Sequence, residues 1–149
     1  MKRPLLITLL AIFILSLPLT AFAGRRDYIE EVLDYWIDYA EDEGYDVFDS
    51  DIDMIDDETV MTYTTELGRG NYLVIAEGGE RIVDLDMAAW YEDDYEDGEE
   101  AFVEDQLDDN YPMLEFSLRR TETIVIEVWV HEFERREDSG YFCILIAED

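Results

Sequence analysis

Apolar residues recur along this chain at two different periods, and the change from one to the other divides it. Between Arg26 and Glu43 they fall at Ile29, Val32, Leu33, Trp36, Ile37 and Ala40, the spacing of one face of an α-helix. Tyr28, Tyr35 and Tyr39 widen that face, and Gly44 supplies a C-terminal stop. A helix patterned this way is expected to dock on the rest of the chain; the alternative is a helix kept for a partner. Residues 45–59 follow as a polar, Asp-rich connector.

From Val60 onward the period is two, the mark of strands. Val60–Leu67 is strand-forming, Gly68-Arg69-Gly70-Asn71 turns the chain, and Tyr72–Ala76 is a short apolar strand. After Gly78-Gly79, the stretch Ile82–Tyr91 alternates, with Val83, Leu85, Met87 and Ala89 on one face and Asp84, Asp86 and Trp90 on the other. Glu92–Glu100 reads as an acidic loop carrying the hairpin signal Asp97-Gly98. Ala101–Asp105 is a short strand, and Asp108-Asp109-Asn110 is a turn. Pro112–Leu118 then places Leu114, Phe116 and Leu118 inward. Ile124, Ile126, Val128 and Val130 alternate most clearly, opposite Glu127, Trp129 and His131, and Tyr141–Ala147 closes the series. Seven to eight short strands with turns between them and no helical pattern among them predict an antiparallel β-sandwich or barrel, preceded by one amphipathic helix.

The N-terminus adds a destination. Lys2 and Arg3 precede an apolar run from Leu5 to Leu15, Pro18 interrupts it, and Ala21-Phe22-Ala23 offers small residues for a signal peptidase. That run is about half of the ~20 residues a membrane-spanning helix needs. Residues 1–23 are therefore expected to be a cleaved signal peptide, and 24–149 one periplasmic or secreted domain: helix 24–44, acidic connector 45–59, sandwich 60–149. No membrane span is expected after cleavage.

Charge narrows the partners. The formal charge of −30 becomes −32 once Lys2 and Arg3 are removed, and no lysine remains. Such a surface repels nucleic acid and anionic lipid. It also repels itself, so salt or bound cations should relieve it. The many ordered apolar positions argue against a disordered acidic chain. Cys143, the single cysteine, lies inside the apolar run Tyr141–Ile146, which suits a buried hydrophobe better than a reactive thiol; an intermolecular bridge is the alternative.

Catalytic signals are sparse. His131 is the single histidine, on a strand face with Glu127 and Trp129, and reads as a surface residue. Ser50, Ser117 and Ser139 stand in no nucleophile motif, and phosphate and dinucleotide fingerprints are absent. A carboxylate pair for hydrolysis has nothing to mark it among 40 acidic residues. Calcium fits better, because hard cations gather carboxylate and carbonyl oxygens. Asp93–Glu104 matches a calcium-binding EF-hand loop only in part: Tyr95 and Glu100 break its pattern, and its flanks read as strands. Asp84 and Asp86 are the candidate ligands, ~7 Å apart on one strand face, with Asp105, Asp108 and Asp109 able to join from the loop if the strands are neighbours. The alternative is a solvated acidic face. The paired arginines, such as Arg119-Arg120, read as local charge compensation.

Three segments in order, Asn71–Ala76, Val83-Asp84-Leu85-Asp86-Met87 and Asp108–Phe116, with Tyr141-Phe142 near the end, make residues 60–147 resemble bacterial pre-peptidase C-terminal domains. These are secreted β-sandwiches related to collagen-binding modules. The resemblance implies a jelly-roll-like sandwich with a non-catalytic role, and calcium in some relatives. The chain departs from it at Thr121-Glu122-Thr123, where that family has Gly-x-Tyr, and in its added N-terminal helix. The reading is an exported, non-enzymatic β-sandwich, stabilised by cations, that binds a protein or surface outside the cytoplasm. The alternatives are a carboxylate-dependent hydrolase and a structural envelope protein adapted to high salt.

Overall fold

The computed structural model describes residues 26–135 and 137–149. The expected signal peptide, residues 1–23, lies outside them. Helix α1 occupies residues 26–42. It is followed by β1 (Asp46–Asp56), β2 (Val60–Leu67), β3 (Gly70–Gly78), β4 (Ile82–Tyr91), α2 (Glu92–Asp97), β5 (Val103–Asp105), β6 (Met113–Leu118), β7 (Glu122–Phe133) and β8 (Ser139–Glu148). The strands form two four-stranded antiparallel sheets, ordered β1-β8-β3-β6 and β2-β7-β4-β5. First pairs with last, second with seventh, third with sixth and fourth with fifth. This is one long hairpin rolled over itself, the jelly roll.

The inner faces hold the main core. Tyr72, Val74, Ala76, Phe142, Ile144 and Ile146 meet Leu85, Met87, Ala89, Ile124, Ile126 and Val128 across the sandwich. Strands β3 and β8 read as unbroken apolar runs because both of their faces are covered. Their outward residues Leu73, Ile75, Leu145 and Ala147 lie beneath Leu33, Trp36, Ile37 and Ala40 of α1. The helix therefore docks, as its face predicts, and Gly44 ends it at φ 94°. Cys143 is buried under this layer, where burial pushes its thiol up to about 12, so it is held as a neutral hydrophobe.

Three expectations change. Residues 45–59, read as a connector, contain β1, an edge strand of eleven residues. Its aspartates are tolerated because an edge strand faces water, and a register shift between Val47 and Asp49 breaks its alternation. Within Glu92–Glu100, read as a loop, α2 forms: Glu92, Asp93 and Asp94 fill its first turn, where free N–H groups favour negative charge. Gly98, at φ 72°, ends it in the left-handed conformation. In β4, Ile82 rather than Val83 enters the core, because the pairing with β7 shifts register at both Ile82/Asp84 and Asp84/Leu85. Among the described residues, no helix is long and apolar enough to cross a membrane.

Candidate functional site

Strand β4 turns Leu85, Met87 and Ala89 into the core, so Asp84 and Asp86 face the outer side of their sheet. They are nevertheless buried, only 5% and 6% exposed. The loop between β5 and β6 brings this about. Leu85 N–H donates to the Asp109 carbonyl at 2.9 Å, and Gly78 N–H to the Asn110 carbonyl at 2.8 Å. The Asn110 side chain returns a bond to the Gly78 carbonyl at 3.0 Å. This stitching carries Asp108 to the Asp84 carboxyl. From β7, Trp129 stands directly across from Asp86, and His131 lies near enough to act electrostatically on both aspartates.

Burial raises the Asp84 carboxyl above its usual range, and Asp86 and Asp108 raise it further, while His131 opposes them. Asp86 is likewise raised by burial, with Asp105 and Asp108 adding to it, against His131 and Trp129. Asp84 Oδ1 is buried with no hydrogen-bond partner. Like charges are thus gathered in a poorly solvated place with too few donors, an arrangement that favours a proton or a cation.

Of the five candidate ligands, Asp84, Asp86 and Asp108 come together, and Asp105 acts on Asp86 from β5. Asp105 also holds loop backbone, and Asp109 is committed to the loop. Asp105 accepts from Leu107 N–H at 3.2 Å and Met113 N–H at 2.9 Å, and Asp109 from Tyr111 N–H at 3.1 Å, so both shape the loop. Among the described residues, no three His, Cys, Asp or Glu side chains stand in a preformed metal-binding arrangement. His131 and Trp129 share the strand face expected from alternation, and the register of β4 on β7 sets Trp129 opposite Asp86.

A second feature lies on α1. Trp36 packs edge-on against Tyr35 and Tyr39, with ring centroids 5.1 and 5.4 Å away, and reaches Tyr111 of the β5–β6 loop at 6.4 Å. Its indole N–H donates to Glu77 Oε2. Tyr35 is 61% and Tyr111 48% exposed, and Glu31, Asp34 and Asp38 are exposed on the same helix. The result is an aromatic patch within an acidic rim.

Similar folds are found among solved structures. The chain is similar in fold to the pre-peptidase C-terminal domain of a collagenase from Bacillus anthracis, with a TM-score of 0.52 at 12% identity over 66% of this chain and 87% of that one. It is also similar to PliG of Aeromonas hydrophila, a periplasmic inhibitor of g-type lysozyme, with a TM-score of 0.53 at 12% identity over 72% and 90%. The first likeness agrees with the resemblance read from the sequence. At this identity both show the fold. No family model and no curated protein matches the sequence.

Proposed function

We infer that this protein is an exported, non-catalytic binding module whose partner is a positively charged protein. The acid-rimmed aromatic patch carries the reading. Exposed contiguous aromatic surface marks binding sites, and a chain of −30 charge steers basic partners toward itself. The fold supports it, because the similar solved structures include a periplasmic inhibitor that acts on another protein. A g-type lysozyme is accordingly one partner to try. A panel of purified basic proteins that includes it should yield a binder whose affinity falls at least about tenfold between roughly 50 and 200 mM NaCl. Uniform, weak binding across the panel counts against a specific patch.

Cation binding is the second element, favoured by the unpartnered Asp84 Oδ1. Calcium at Asp84, Asp86 and Asp108 would give that oxygen a partner, with water completing the shell. Low-millimolar calcium should then raise the melting temperature above that in chelator, and above that in NaCl of equal ionic strength. Asp84→Asn with Asp86→Asn should abolish the difference. If matched NaCl does as well as calcium, charge screening suffices and no site exists.

A further inference from the structure

Strand β1 is a free edge. It pairs with β8 and with no other described strand. Asp49, Asp51, Asp53 and Ile55 stand opposite Ile146, Ile144, Phe142 and Gly140, on the side of the sandwich interior. Ser50, Ile52 and Met54 stand opposite Leu145, Cys143 and Tyr141, on the outer side. The edge is therefore two-sided at period two: carboxylates toward the inner rim, mostly apolar groups toward the outside.

The main chain of this edge is covered by its own aspartates. Ile52 N–H donates to Asp51 Oδ1 and Met54 N–H to Asp53 Oδ1, each at 2.8 Å. These bonds reach one residue along an exposed strand, so little holds the carboxylates there once a better partner arrives. Both rims have room. On the inner side a cavity of about 120 Å³ is bounded by Asp49, Asp51, Tyr63 and Ile144, and the Tyr63 hydroxyl is buried there without a partner. On the outer side Met54, 56% exposed, borders a cavity of about 270 Å³ walled by Tyr28, Gly79 and Tyr141.

We propose that β1 is a docking edge for an extended segment of a partner protein in which basic and apolar residues alternate. Its cations draw Asp51 and Asp53 off the edge, and the released N–H groups of Ile52 and Met54 bond to its main chain. Its apolar residues fall on the outer side, over Met54 and the adjoining cavity. Strand addition of this kind takes affinity from main-chain bonds and specificity from alternate side chains. A second copy of this chain is the wrong occupant, because it would set two rows of aspartates against each other. The carboxylates thus close the edge to self-pairing and select a basic partner. This surface is distinct from the aromatic patch on α1 and stands without it.

The test is amide exchange of Ile52 and Met54, read by NMR on the protein with an acetylated octapeptide of alternating lysine and valine. The control peptide has the same composition in two blocks. The alternating peptide should slow exchange at both amides at least about tenfold, and the block peptide should not. Ile52→Pro removes one outward N–H and leaves the bonds to β8 intact, so it should weaken binding about tenfold or more. Should that variant fail to fold, Asp51→Ser with Asp53→Ser supplies the check: preference should pass from the lysine–valine peptide to a threonine–valine one. Tyr35→Ala with Tyr111→Ala should leave the protection unchanged. Equal protection by both peptides, or protection elsewhere with Ile52 and Met54 unaffected, overturns the proposal.

Discussion

Lowering the pH in chelator from neutrality toward the carboxylate range is expected to raise the melting temperature of this protein, not to lower it. Burial, with like-charged neighbours, holds the Asp84 and Asp86 carboxyls above their usual value of 3.8. The folded state therefore binds protons that the unfolded chain has released. Stability from this source is complete below pH 3.8 and is lost as pH climbs through the raised folded values. Glu77, raised by burial from 4.5 against its bond from Trp36, acts in the same direction. Asp56 acts oppositely: bonds from Thr59 and Glu58 lower it, so its contribution disappears only as pH falls through a value under 3.8. The optimum should accordingly lie on the acid side of neutrality.

Asp84→Asn with Asp86→Asn separates this cluster from the general charge. Removing the buried charges should stabilise the protein at pH 7 by about 1–3 kcal/mol, in the range of an uncompensated buried polar group. That corresponds to about 4 °C per kcal/mol in melting temperature. The variant should also flatten the acid rise when measured in about 0.5 M NaCl, where screening acts beyond roughly 4 Å. An undiminished rise in the variant would place its origin outside Asp84 and Asp86.

The largest loss is expected from Trp36→Ala, about 3–4 kcal/mol by urea unfolding. Trp36 covers the outer face of the β3–β8 sheet, packs on three tyrosines, and gives half-buried Glu77 its hydrogen bond. Trp36→Phe keeps much of the packing and loses the bond, so it should cost about 1–2 kcal/mol. If both cost under about 1 kcal/mol, α1 is an appendage and not a layer of the fold.

That helix was the most legible part of the sequence, because its apolar face recurs over three turns and ends at Gly44. The runs Tyr72–Ala76 and Tyr141–Ala147 were legible as strands, and their lack of polar positions is explained by cover on both faces. Strand β1 was not legible. Asp46, Asp49, Asp51, Asp53 and Asp56 lower its strand propensity, and an edge strand carries little apolar signal to offset them. Val83 reads as inward by alternation because register shifts leave no mark on composition. The site was half legible for a similar reason. Asp84 and Asp86 share a face by simple alternation, which brings in Asp108 only because the loop is stitched to Gly78 and Leu85. Asp105 and Asp109 look equivalent to it in sequence, but backbone N–H groups bond both carboxylates, and of the two Asp105 alone still acts on Asp86.

The central claim, that the aromatic patch binds a positively charged protein, is tested most directly on the strongest binder from the basic-protein panel. Its affinity is measured by calorimetry for the wild type and for Tyr35→Ala with Tyr111→Ala. Tyr35 is 61% and Tyr111 48% exposed, so the variant should stay folded and lose only about 1 kcal/mol for their packing on Trp36. The account predicts that it binds at least about thirtyfold more weakly, as the loss of a central aromatic contact does. Equal affinity, with salt dependence retained, would mean that charge alone holds the partner and that the patch is not the site.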